Sequence, residues 1–133
     1  MEPLRSGDRR AVVLGALAAW AMAVPWLARA AGLALDVPAR LEVIDHVVPG
    51  VIVLACCAAQ LHPRAGGRPG SLRRLALIGT AALAGFWITV THAPLVPEAL
   101  EGIAGWGPAL MHLSAGPPVT VYALWMLMAD AGR

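Results

Sequence analysis

Long apolar runs separated by short polar connections set the pattern of this chain. Four runs carry no charged residue: Ala11 to Ala28, His46 to Pro63, Leu75 to Pro97 and Gly102 to Ala129. Each reaches the roughly 18 residues at which a membrane-spanning helix becomes the default assignment. The predicted spans cover about residues 11–28, 46–62, 74–92 and 107–128. Together they make a transmembrane domain of residues 11–129, flanked by cytoplasmic tails at 1–10 and 130–133. The expected fold class is therefore an all-α membrane protein, a four-helix bundle.

Small and helix-breaking residues refine each span. Gly15, Ala19 and Ala23 recur at helical spacing in span 1, as do Ala81, Gly85 and Thr89 in span 3, and both stripes predict close helix approach. Pro25 is expected to end or kink span 1, leaving Trp26 at the headgroup level and Arg29 snorkelling to the same interface. Asp36 and Arg40 are placed to support a short surface helix. Ser71 is positioned to cap span 3, and Thr89 and Thr91 to return their hydroxyls to the preceding turn. Pro97-Glu98 suits the first turn of a short helix. Gly116-Pro117-Pro118 should kink span 4, with Ser114 or a neighbouring helix re-satisfying the carbonyls that two prolines free. Cys56-Cys57, deep in span 2, reads as a pair of small packing residues.

Composition supports the membrane class: 59% of residues are hydrophobic and 14% charged, against the roughly 25% charged of soluble domains. The run Ala11–Leu27 with Ala28-Arg29-Ala30 behind it has the outline of a secretory leader, but its length and the bulky Pro25-Trp26 favour an uncleaved span. Net charge matters through its distribution. Arg5, Arg9, Arg10, Arg64, Arg68, Arg73, Arg74 and Arg133 fall on one side of the four-span arrangement, and Arg29 and Arg40 on the other. That asymmetry places both termini and the central loop in the cytoplasm. Scattered arginines without an interleaved aromatic face give no nucleic-acid surface.

The two halves repeat one another. Val13-Leu14-Gly15 answers Leu77-Ile78-Gly79, Trp20 answers Phe86-Trp87, Pro25-Trp26 answers Pro94-Leu95, and His46 to Gly50 answers His112 to Gly116. Each half holds two spans and starts on the same side, so the expectation is two parallel-repeat helical hairpins. Leu14-Gly15, Trp20, Val24-Pro25-Trp26 and Val48-Pro49-Gly50-Val51 resemble the SPW-repeat family of small prokaryotic integral membrane proteins. Ile78-Gly79, Trp87, His92-Ala93-Pro94 and Gly116 carry the likeness into the second half, although Val24 replaces the family's serine and no tryptophan follows Pro94. The resemblance implies the fold and contributes no catalytic residue.

Histidine is the one candidate chemistry. His46, His92 and His112 are expected near the outer ends of their helices, with Asp45 and Glu98 nearby. Three imidazoles suit zinc or copper, and His46 with His112 on facing helices would suit an axially ligated haem. Against this stand the absence of any His-x-x-x-His spacing and the ordinary structural uses of histidine at a membrane boundary. No nucleophile elbow, phosphate loop or intramembrane carboxylate points to catalysis or a proton relay. The leading expectation is a non-enzymatic accessory or scaffold subunit without a cofactor, working in the lipid bilayer as a homo-oligomer or within a larger membrane complex. The alternatives are a metal- or haem-binding redox protein using these histidines, and an oligomeric channel or small-solute carrier.

Overall fold

A computed structural model describes residues 6–35, 38–62 and 64–132. Arg5 and Arg133, which enter the charge argument, and Asp36, expected to support Arg40, lie outside the described residues. Within them every regular element is helical. Helix α1 spans Ser6–Ala30, the short α2 Ala39–Glu42 and α3 Val48–Leu61, with a π-helical turn at Val43–Val47 joining α2 to α3. Then come α4 (Leu72–His92), α5 (Leu95–Leu100), α6 (Trp106–Leu113) and α7 (Gly116–Ala131). Among the described residues three continuous stretches are long and apolar enough to cross a membrane: Gly7–Ala30, Arg40–Leu61 and Leu72–Leu100. Large side chains such as Leu83, Phe86, Trp87, Val121 and Met128 point outward, as they must where the surroundings are lipid.

The long helices close into a four-membered bundle: α3 packs on α1 and on α4, α7 packs most extensively on α4, and α1 touches α7. Neighbours run antiparallel. Arg74 meets Asp130 at one end of the α4–α7 pair, and Gly116 packs against Ile88 and Thr89 toward the other. The core between them is lined by Leu14, Ala18, Val53, Ile78, Ala81, Ile88, Val119 and Met126. The Ala81-Gly85-Thr89 stripe faces α7 as its spacing predicts, and a methyl group on Gly85 would sit 2.7 Å from Val119 Cγ1. In α1 the buried stripe is Ala11, Leu14, Ala18, Ala21, Val24 and Ala28 instead, and Ala19 faces out.

Several expectations about helix ends change. α1 does not stop or break at Pro25 but continues to Ala30, where Gly32 closes it in the left-handed region (φ 71°) with Leu33 N–H donating to Ala28 O at 2.7 Å. The second span starts before His46, because α2, the π turn and α3 form one continuous helix. Ser71 caps α4 as expected, its hydroxyl accepting from Arg74 N–H at 3.4 Å. The anticipated kink in span 4 is a full interruption at Ser114-Ala115, after which Pro117 and Pro118 occupy the first turn of α7, where a missing N–H costs nothing. Ser114 does not turn to the freed carbonyls. Its hydroxyl donates to Met111 O at 2.6 Å and accepts from the Trp20 indole at 3.1 Å, tying the interruption to α1.

The end of the bundle opposite the interruption holds an unanticipated ion pair. Arg74 Nε donates to Asp130 Oδ2 at 2.6 Å, and both side chains are buried, 7% and 4% exposed. Asp130 therefore belongs to α7 rather than to a solvated tail, and Arg74 to the packed start of α4.

Candidate histidine site

Three helices bring His46, His92 and His112 together at one end of the bundle. Their ring centroids lie 4.5 Å (His46–His92), 5.6 Å (His46–His112) and 5.5 Å (His92–His112) apart. All three are buried, His46 completely. The sequence placed each near the same membrane boundary, and the fold converges them: His46 from the π turn, His92 from the last residue of α4, and His112 from the end of α6.

Each ring is oriented by a backbone carbonyl. His46 Nδ1 lies 3.1 Å from Ala21 O, His92 Nδ1 2.8 Å from Ile88 O, and His112 Nδ1 3.0 Å from Pro108 O. A carbonyl oxygen only accepts, so in all three contacts Nδ1 carries the proton and donates. The first contact has a source in the sequence. Pro25 has no N–H, so the carbonyl of Ala21, one turn earlier in α1, loses its intrahelical partner. The imidazole of His46 arrives from the neighbouring helix to fill that place, which explains why α1 continues past a proline.

With Nδ1 protonated, a neutral ring presents a bare lone pair at Nε2. His46 Nε2 and His92 Nε2 face each other at 3.1 Å. Two lone pairs cannot bond one another. Either one ring takes a second proton, or His92 turns to its other tautomer with the Thr91 hydroxyl, 3.1 Å from its Nδ1, as donor, or both nitrogens share another cation. The third nitrogen, His112 Nε2, is buried and has no hydrogen-bond partner among the described residues. As the rings stand, no set of three or more His, Cys, Asp or Glu side chains among those residues has its donors gathered around one point.

A cavity of about 330 Å³ reaches the cluster from the end of the bundle. His92 and His112 line it together with Glu42, Asp45, Thr91 and Glu98, so the expected neighbours Asp45 and Glu98 are present. Glu42 escaped the sequence reading, and so did its contact with Arg29. Arg29 does not simply reach for an interface: its Nη2 contacts Glu42 Oε2 at 3.4 Å. Glu42 is itself buried at 8% exposure, and its Oε1 has no partner among the described residues. Its place four residues before His46, on what proves to be the same helix, was the available signal.

The remaining candidates lie elsewhere. His62 sits exposed in the connection between α3 and α4, accepting from Arg64 N–H at 3.3 Å. Cys56 and Cys57 are free thiols buried in the core, Cys57 beside Gly15. No protein-family model, curated protein or solved structure matches the chain.

Proposed function

We propose that the protein is a four-span integral membrane protein of a prokaryotic cell membrane that binds one divalent transition-metal ion through His46, His92 and His112. The observation that carries this reading is the set of three buried imidazoles whose Nδ1 protons are all committed to backbone carbonyls, leaving three Nε2 lone pairs without a donor. Metal-bound histidines have this outer hydrogen bond as a rule, because it fixes the tautomer and the ring direction. The distances also suit a metal. Two nitrogens sharing a tetrahedral ion at about 2.05 Å are about 3.3 Å apart, and their ring centroids about 5 Å. The observed values are 3.1 Å and 4.5–5.6 Å. Binding requires the three donors, which do not meet at one point as the rings stand, to draw together. Imidazole donors favour zinc, copper, iron and nickel over magnesium and calcium. A haem held between His46 and His112 is disfavoured, because His46 Nε2 faces the imidazole of His92 at 3.1 Å rather than that of His112.

The fourth span is α6 with α7, uncharged from Trp106 to Ala129 and interrupted only at Ser114-Ala115. Both termini face the cytoplasm on this reading, following the arginines, and the histidines lie on the outer side. Each half has a long helix, a short helix and then a helix disturbed beside its histidine, which supports two parallel hairpins of the SPW-repeat kind. The test is metal content and calorimetry on the detergent-purified, chelator-stripped protein titrated with Zn²⁺ and Co²⁺. One ion per chain is expected, with binding lost in His46→Ala and His112→Ala. Absence of binding, or binding indifferent to both substitutions, refutes the reading and leaves a packing subunit as the better description.

A further inference from the structure

We infer that Glu42 is the carboxylate ligand that completes the metal site and that Arg29 competes with the metal for it. The inference rests on the histidine reading above. Glu42 lies four residues before His46 on one continuous helix, so the two share a face, with Glu42 one turn nearer the bundle end. It lines the cavity that also exposes His92 and His112. Glu42 thus shares with His92 and His112 the cavity through which an ion would reach the cluster.

The carboxylate is under-satisfied where it stands. Oε2 has Arg29 Nη2 at 3.4 Å, beyond the usual range for an N–H···O bond. Oε1 is buried with no partner among the described residues. A buried, half-partnered carboxylate is costly unless another cation takes the second oxygen. Arg29 is poorly placed to be that cation, since its side chain is 57% exposed and free to return to water at little cost. Asp45 and Glu98 line the same cavity and no lysine or arginine does, so the approach favours cations. Three imidazole nitrogens and one carboxylate oxygen form a donor set for a zinc-like divalent ion. On binding, the metal replaces Arg29 as the partner of Glu42.

The experiment compares Zn²⁺ affinity of the full-length protein in detergent, by competition with a chromogenic chelator, with the visible spectrum of the Co²⁺ form as a second readout. Glu42→Gln keeps the shape and removes the charge, and it should weaken Zn²⁺ binding about 10- to 100-fold, the scale at which metal-site groups act. It should also change the Co²⁺ band intensity. Arg29→Ala should tighten binding several-fold, an increase that a misfolded variant cannot mimic. Glu101→Gln, which removes an equivalent charge away from the cavity, should leave affinity unchanged. If the parent protein binds Zn²⁺ and Glu42→Gln binds it equally with an unchanged Co²⁺ spectrum, Glu42 is no ligand and the histidine site stands alone. If the parent protein binds none, both readings fall together.

Discussion

Removing one member of the Arg74–Asp130 pair should cost far more than removing both. The two side chains are 7% and 4% exposed and meet at 2.6 Å, so neither charge has water as a substitute partner. Asp130→Ala leaves the Arg74 guanidinium buried and alone, a change that costs about 3–5 kcal/mol. The helix ends worsen the position of whichever charge is left. Arg74 lies in the first turn of α4 and Asp130 in the last turn of α7, each at the pole of its own helix that repels it. That adds about 0.3–1 kcal/mol per residue. The double variant Arg74→Met/Asp130→Leu removes both charges and fills the space with apolar groups. It should be neutral or stabilising by about 1–4 kcal/mol relative to the parent. Equilibrium unfolding by SDS in mixed micelles, followed through the tryptophans, measures all four corners of the cycle. A single-variant cost below about 1 kcal/mol, the size of a water-screened surface pair, would refute the burial argument. So would a double variant as unstable as the sum of the two singles.

Four further outcomes follow from local geometry. Gly116→Ala drives a methyl group against the backbone of α4, 2.8 Å from the Ile88 carbonyl carbon, and should destabilise by about 1–3 kcal/mol in the same assay. Gly79→Ala meets nothing within 4 Å and should instead stabilise by up to about 1 kcal/mol through helix propensity. Ser114→Ala strips a partner from both the Trp20 indole and the Met111 carbonyl and should cost about 1–3 kcal/mol. Pro25→Ala restores an N–H to Ala21 O and makes it compete with His46 Nδ1, so Zn²⁺ affinity should fall about 10-fold, read by chelator competition, while the helix content by circular dichroism is kept.

Span-scale features were legible because they depend on sums over many residues. Uncharged runs gave the helices, Ser71 and the threonines announced their local hydrogen bonds, and the position of each histidine along its helix followed from the span it borders. What escaped depends on a partner from another part of the chain. Pro25 reads as a breaker until a donor from elsewhere takes the carbonyl it frees. Arg74 and Asp130 read as solvated ends, since each sits outside an uncharged run, and only the α4–α7 packing buries them. Glu42 looked like a loop acid because the second span was started at His46, whereas the helix continues through a π turn to Ala39. The meeting of all three histidines required the bundle order, which no local pattern encodes.

The proline in α1 acts as an address. Along a uniform transmembrane helix every carbonyl is already engaged, and a neighbouring helix sliding by one turn finds the same surface again. A single missing N–H breaks that uniformity and marks one oxygen, Ala21 O, as a place where a donor from outside is rewarded. Any axial slip of the second helix would carry His46 past its acceptor and leave both groups dry and unbonded. Registry between two apolar helices, which greasy contacts define poorly, is thereby written by one absent hydrogen. The same device offers a rule for building membrane bundles: place a proline one turn after the oxygen to be matched, and a histidine on the facing helix to read it.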